Sequence, residues 1–308
     1  MARVLITGIA GSLAQLVGKR LVADGNEVIG IDYRPVTHLV SPDILVYRAN
    51  YNKTRIEDIV RRHRPTHVLH LGRVGNLKEQ MNKRFDLNVV GSAKIMELCL
   101  KHQVERLVVL STFHIYGAHP HNHIPIFEDE PLRASTTFPQ IGDAVQLDSM
   151  ASQWVYRHRK LKTIVLRPAN VVGPNIKNAV STYLRQPNLV YLMGFSPMWQ
   201  FVHERDMVDA VALASQSSNV GVYNVAGNGA LPLVRALELT GARLLPVPGA
   251  AADLALWLGG RFMRAVPSYL LDFLRYPVII SDAKFREELG YKATGGIEEC
   301  IRDTVRPN

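Results

Sequence analysis

The stretch Thr7-Gly8-Ile9-Ala10-Gly11-Ser12-Leu13-Ala14 follows a β-rich apolar run directly and precedes a run with apolar residues at helical spacing. Residues of this kind can grip a phosphate. A glycine at the turn lets the backbone bend, Gly11 lets it approach a pyrophosphate, and the small Ala14 lets helix and strand pack closely. The helix N-terminus then turns unpaired N–H groups and its positive end toward the phosphate charge. The second apolar run ends in Asp32, 18 residues beyond Ala14. A carboxylate there accepts hydrogen bonds from both ribose hydroxyls and repels a 2′-phosphate. A glycine pattern alone is equally at home in an ordinary tight turn. Joined to Asp32 it points to a dinucleotide, NAD in preference to NADP, with Arg34 close enough to accommodate a phosphate.

A second cluster of chemical side chains is His119, His121 and His123, in the segment HPHNHIP. Alternation can set imidazoles on one side of a strand, and zinc takes imidazole readily. The prolines and the lack of an evident carboxylate partner favour an exposed loop, so no metal is expected.

These residues need a scaffold, and the chain supplies one by alternating strand and helix. Arg3–Thr7, Glu27–Asp32, Ile44–Arg48, His67–Leu71, Arg106–Ser111 and Thr163–Arg167 read as strands; Leu13–Leu21, Arg55–Arg62, Asn88–Lys101 and Asp143–Arg159 read as helices. Such alternation builds an α/β fold, a Rossmann-type doubly wound parallel sheet. After Pro168 the rhythm breaks, although Met207–Ser215 and Val220–Val225 read as one helix–strand pair returning to the sheet. The expected division is therefore a dinucleotide-binding domain, 1–168 with about 201–227, and a smaller discontinuous C-terminal substrate lobe, about 169–200 and 228–308.

Composition narrows the class. The chain has 308 residues, 47% of them apolar, which suffices for a large core. Its 36 Lys and Arg against 27 Asp and Glu give a net charge of +9, which suits anionic ligands. The basic clusters, Arg61–Arg64 and Arg157–Lys162, are interleaved with apolar residues at helical spacing and read as solvated helix faces rather than a nucleic-acid surface. Two cysteines, Cys99 and Cys300, cannot build a disulfide framework, and a reducing, cytoplasmic setting is expected. The apolar stretch Leu244–Phe262 carries Pro246, Pro248 and Asp253, so no transmembrane segment is expected.

Several further motifs fall in order along the chain: HLGRV at 70–74, Asn88 in NVVGS, STFHIYG at 111–117, RPANVVGP at 167–174, FVHERD at 201–206, VYNVAG at 222–227 and REELGY at 286–291. With TGIAGSLA at 7–14 and Asp32, the chain resembles the extended short-chain dehydrogenase/reductases, the NAD-dependent epimerase/dehydratase family. The resemblance implies that Gly8, Gly11, Ser12, Leu13 and Asp32 touch NAD, with Tyr33, Arg34 and Pro168 completing the cofactor set. Asn50 and Tyr51 would flank the adenine. Leu71, Gly72 and Arg73 would pass the ribose and nicotinamide side, and Asn88 would brace the central helix. It also implies a homodimer paired through the helices at 88–101 and 143–159.

The family's acid/base group is a Tyr with a Lys four residues later, assisted by a Ser or Thr five residues before the Gly of its YG motif. Thr112 fills that last position. In the best register, FPQIGDA lies on the Tyr–Lys stretch, so that Gln140 and Ala144 occupy the Tyr and Lys positions; Ala144 then lies 23 residues before Arg167, as the family's Lys does. A shift of four residues gives Ala144 and Asp148 instead, and restores neither. Tyr156 and Lys160 match the pattern as written, but only seven residues separate Lys160 from Arg167, too few for the helix that must follow. A Gln cannot exchange protons near neutral pH, which leaves His114, Tyr116 and Asp143 as substitutes by proximity in sequence.

On the substrate side, Trp199 stands where nucleotide-sugar members of the family carry an Arg, and Asn170 keeps a polar substrate position. With the apolar 244–274 region, this favours a small and more apolar substrate over a nucleotide sugar. Two functions follow. One is an NAD-binding epimerase/dehydratase-like oxidoreductase with non-standard acid/base chemistry; the other is a catalytically impaired dinucleotide-binding regulatory or interaction protein. A non-redox reaction in the same cleft is a third, weaker reading.

Overall fold

In the computed structural model, residues 1–51, 53–75, 79–249 and 268–306 are described. The elements, in chain order, are β1 (Arg3–Thr7), α1 (Ser12–Ala23), β2 (Glu27–Asp32), β3 (Leu45–Arg48), α2 (Thr54–His63), β4 (His67–His70), α3 (Met81–Phe85), α4 (Gly91–Lys101), β5 (Arg106–Leu110), α5 (Ala134–Thr137), α6 (Gly142–Arg157) and β6 (Lys162–Pro168). Then follow β7 (Asn170–Val172), α7 (Ala179–Leu184), β8 (Asn188–Leu192), β9 (Met198–Trp199), β10 (Phe201–His203), α8 (Glu204–Gln216), β11 (Gly221–Val225), β12 (Leu231–Pro232), α9 (Leu233–Glu238) and β13 (Arg243–Val247). The last are α10 (Ser268–Phe273), α11 (Ala283–Leu289) and α12 (Ile297–Val305).

Seven parallel strands form one sheet in the order β3-β2-β1-β4-β5-β6-β11. Val4–Thr7 are all buried, as a central strand covered on both faces must be. One face packs on Ala14, Val17 and Leu21 of α1 and Met207 and Val211 of α8. The other packs on Ile56 and Ile59 of α2, Ile95 and Cys99 of α4, and Leu147 and Ala151 of α6. The helix–strand pair expected after residue 200 does return to the sheet, as α8 and β11. Strand order reverses between β1 and β4, and the crevice at the carboxyl ends of strands around such a point is where open α/β sheets bind ligands.

The remaining strands pair locally: β7 with β10, β8 with β13, and β9 with β12. The helix expected from Asn88 starts earlier and is interrupted. A π-helical turn, Asp86–Val90, joins α3 to α4 and carries Asn88. Such turns persist where a side chain has an obligation elsewhere, and the Asn88 amide has one. Within the apolar 244–274 region, residues 250–267 lie outside the described residues. Among the described residues, no helix is long and apolar enough to cross a membrane.

Candidate functional site

The glycine turn is a three-way backbone contact. Gly8 has a φ of +80°, and a Cβ there would stand 2.5 Å from Gly72 Cα. A Cβ on Gly72 would stand 2.5 Å from the Tyr51 hydroxyl. The loops after β1 and β4 therefore touch directly, with Tyr51 beneath them. Gly11 caps α1 without a side-chain hydrogen bond, and the first turn of α1 carries no acidic residue. Its N–H groups stay available to an anion. Tyr51, expected beside the adenine, is instead 2% exposed, with its hydroxyl bonded to the Gly8 backbone and its pKa raised by burial.

Asp32 ends β2 with its carboxylate buried. Its Oδ2 accepts from the Ala10 N–H at 3.0 Å, and Oδ1 accepts from the Arg34 N–H at 2.9 Å. The Arg34 guanidinium lies against the same group, donating from Nε at 3.2 Å and Nη2 at 3.1 Å, and these bonds raise the Arg34 pKa. Tyr33 lies below the guanidinium, 5.7 Å from ring centroid to Cζ. Tyr33 and Asn50 line an open groove with Arg48, Lys53 and Arg55. The close backbone approach at Gly8 and Gly11, the uncapped α1 and the Asp32 carboxylate fit a dinucleotide.

A proton-ordered chain supports this edge from behind. Ser92 Oγ donates to the Asn88 carbonyl at 2.6 Å, which uses its one proton. It must then accept from His70 Nε2–H at 2.7 Å. The bare His70 Nδ1 accepts from Thr7 Oγ1 at 2.7 Å, and Thr7 Oγ1 accepts the Gly72 N–H at 3.3 Å. His70 is thus held neutral, and burial pushes its pKa down to about 4. Asn88 ties the π-helical turn to the loop after β4 and to α6. It accepts from Val74 N–H at 2.7 Å and donates to the Val74 carbonyl and to Asp143.

At the reactive end, β5 delivers Ser111 and Thr112. The Ser111 hydroxyl donates to Asp148, which also takes Arg167 Nε at 3.0 Å and Nη2 at 2.6 Å. Arg167 Nη1 donates to the Tyr116 hydroxyl at 2.9 Å, and that hydroxyl donates to Asn224 Oδ1 at 2.8 Å. Tyr116 is thereby committed, and burial pushes its pKa up to about 12. Asp143 is committed too, to Arg84 and Asn88. Neither is a free acid or base.

Of the residues proposed as substitutes, His114 remains. Thr112 caps the 3₁₀ turn Phe113–Tyr116, its hydroxyl accepting the His114 N–H and lying 2.8 Å from His114 Nδ1. The imidazole packs between Phe113 and Phe273, at centroid distances of 4.3 and 4.9 Å. Burial, with the Arg73 charge in the same direction, pushes its pKa down to about 3.

Gln140 is exposed in the 3₁₀ turn before α6, while Ala144 lies buried within the apolar cluster of Phe113 and Phe138. Tyr156 is 70% exposed and α6 ends at Arg157, so the Tyr156–Lys160 pair stays outside the site. Trp199 is a core residue, its indole N–H on the Phe273 carbonyl at 3.0 Å. Asn170 is buried, with its amide 3.5 Å from the Gln200 carbonyl, and Pro168 is buried at the end of β6. Leu71 is likewise buried. The His119 and His121 rings lie 5.4 Å apart, tilted by 53°, and His123 lies 3.3 Å from Glu130, a carboxylate that sequence distance concealed. Among the described residues, no three His, Cys, Asp or Glu side chains are grouped to hold a metal. The sequence reading missed Arg84, because a charge on a helix reads as solvated; it is 4% exposed and donates to the Gln140 carbonyl as well as to Asp143.

The chain is similar to known proteins over most of its length. An uncharacterised protein of Mycobacterium tuberculosis is 28% identical over 229 residues, 72% of this chain and 59% of that protein. The matched stretch thus spans little more than half of that relative. The UDP-glucose 4-epimerase of Pisum sativum is 25% identical over 293 residues, covering 82% of this chain and 76% of its own. Among solved structures, the Thermus thermophilus UDP-glucose 4-epimerase in complex with NAD superposes with a TM-score of 0.77 at 24% identity, covering 98% of this chain and 97% of that one. The dTDP-glucose 4,6-dehydratase of Bacillus anthracis, also in complex with NAD, gives 0.78 at 17% identity over 99% and 96%. At such identities the superpositions speak for the fold. The family itself is shown by its sequence profile, which matches residues 4–226: the chain belongs to the NAD dependent epimerase/dehydratase family.

Proposed function

We propose that this protein is an NAD-dependent oxidoreductase of the epimerase/dehydratase type in which the Thr112–His114 pair stands in for the Tyr–Lys couple. The 2.8 Å contact between Thr112 Oγ1 and His114 Nδ1, beside an exposed Gln140 and a buried Ala144, carries the reading. NAD, when bound, accepts or returns a hydride. Asp32 and the turn at Gly8 and Gly11 hold its adenosine diphosphate half. Thr112 hydrogen-bonds the substrate oxygen, and the proton shifts between that oxygen, Thr112 Oγ1 and His114 Nδ1. An imidazole kept neutral by its surroundings is suited to polarising a carbonyl. The apolar setting of His114, between the buried rings of Phe113 and Phe273, favours a small alcohol or carbonyl compound with an apolar flank.

On the same reading, residues 1–168 and 201–227 serve the cofactor, and 169–200 and 228–308 serve the substrate. Two copies pair through α4 and α6, a face on which Phe85 of α3, Val90 of the π-helical turn before α4 and Tyr156 of α6 leave apolar surface exposed. The free, buried Cys99 and Cys300 suit a reducing cytoplasm. The test is cofactor turnover, followed by absorbance, with NAD and a panel of alcohols, ketones and nucleotide sugars. Turnover that Thr112→Ala abolishes is expected. NAD binding with no turnover on any class would favour the regulatory reading instead.

A further inference from the structure

Strands β4 and β5 lie side by side, with His70 opposite Val109 at the end of their shared register. Three residues further on, one chain has reached Arg73 and the other Thr112. Neighbouring strands are about 5 Å apart, so the two residues leave the same edge of the sheet together. The backbone on either side of Arg73 is held. The Gly72 N–H donates to Thr7 Oγ1 at 3.3 Å, and Val74 is tied through its N–H and its carbonyl to the Asn88 amide at 2.7 and 3.0 Å. Gly72 is itself closed in by Gly8 and the Tyr51 hydroxyl. A half-buried Arg on so fixed a backbone keeps its charge at the reactive end of the crevice. That charge reaches His114, where it adds to burial in lowering the imidazole pKa. A cation beside a group that must accept a proton works against that step, unless an anion arrives with the substrate.

Resting on the oxidoreductase reading above, we propose that Arg73 anchors a carboxylate on the substrate, which makes the substrate a small hydroxy acid or the matching oxo acid. The length of an Arg side chain places its fork a few bonds from an oxygen held by Thr112, so the carboxylate is carried on or next to the carbon that reacts. A planar guanidinium meets a carboxylate at two points, which fixes orientation as well as affinity. The apolar setting of His114 receives the remaining alkyl flank. In the oxidative direction, the hydroxyl proton of the acid passes to Thr112 Oγ1 as the Thr112 proton moves to His114 Nδ1. The carbinol C–H bond breaks with its electron pair going as hydride to NAD, and the oxo acid remains. By balancing the Arg73 charge, the carboxylate also restores basicity to His114 in the step where it takes the proton. The net charge of +9 suits such a substrate.

The test is NAD turnover by the full chain on matched pairs, short 2-hydroxy and 3-hydroxy acids against their amides, which keep the shape and lose the charge. The acid should be used roughly tenfold to a hundredfold better in kcat/KM, as a charge-assisted contact is worth, with part of the difference in kcat. Arg73→Met should erase that preference, and Arg73→Lys, which keeps the charge without the fork, should retain part of it. Equal use of acid and amide by the unaltered protein overturns the anchor whether or not the variants fold. So does an Arg73→Met variant that loses acid, amide and NAD binding alike, which would make Arg73 a support of the cofactor site. Turnover of other classes without the acids overturns the anchor alone. If NAD binds and no acid, alcohol, ketone or nucleotide sugar is turned over, the oxidoreductase reading itself fails, and the anchor with it.

Discussion

The two ends of the crevice are built from different materials. The end proposed to hold the adenosine is made of backbone: a carbon added at Gly8 or Gly72 would collide, one added at Gly11 would press on the Gly8 carbonyl at 3.1 Å, and the Asp32 carboxylate lies beside them. The reactive end is made of side chains that are nearly all committed to one another, Arg167 to Asp148 and Tyr116, and Arg84 to Asp143. Thr112 and His114 bond each other and are the pair proposed to meet a substrate. A backbone site tolerates little change without losing shape. A side-chain site can lose its usual groups and still fold, because Gln140 and Ala144 break no packing.

That contrast can be broken at several points. The largest effect belongs to His114→Ala, which should lower kcat by roughly 10²–10⁴, the range for loss of a positioned acid or base, with NAD affinity unchanged in the same preparation. Equal losses in turnover and in NAD binding would mean that His114 supports the fold and not the chemistry. Next comes Gly8→Ala. Its φ of +80° and a Cβ 2.5 Å from Gly72 Cα should cost about 3 kcal/mol in denaturant unfolding, and calorimetric NAD binding should vanish. A variant of normal stability and affinity would show that the close approach does not matter.

A third effect is pH-dependent. His70 has an ordinary value of 6.5 unfolded and about 4 folded, so the fold keeps the neutral form. Its contribution is complete above pH 6.5 and is lost as the pH falls toward 4, where the unfolded chain takes up a proton that the folded chain refuses. Over that window the loss approaches about 3 kcal/mol, and His114 adds in the same direction. Urea midpoints measured from pH 7 to 4.5 should fall steadily; a flat series would contradict the buried neutral imidazoles. The smallest effect belongs to Gln140→Ala. Its exposed side chain should matter less than twofold in kcat, and a hundredfold loss would return that position to the chemistry.

Much of the adenosine end was legible because glycine positions are forced by geometry and Asp32 by the spacing of strand and helix. The sheet followed from the same alternation. The reading that Gln140 and Ala144 occupy the Tyr and Lys positions rests on the spacing of 23 residues from Ala144 to Arg167. What stayed hidden depends on which charge meets which. Arg34 near Asp32 reads equally as a phosphate ligand or as the partner of the carboxylate. Arg84 and Tyr51 are polar residues whose burial comes from distant elements. Trp199 is marked by its position in a motif, yet its surroundings make it core, because Phe273 and its carbonyl arrive from 74 residues away.

The account is tested most directly by a crystal structure of the complex with NAD and an alcohol or ketone. It should show the adenosine ribose on Asp32 and the substrate oxygen on Thr112 Oγ1, with His114 as the next proton-carrying group. A tyrosine hydroxyl and a lysine ammonium lodged against the nicotinamide would contradict it.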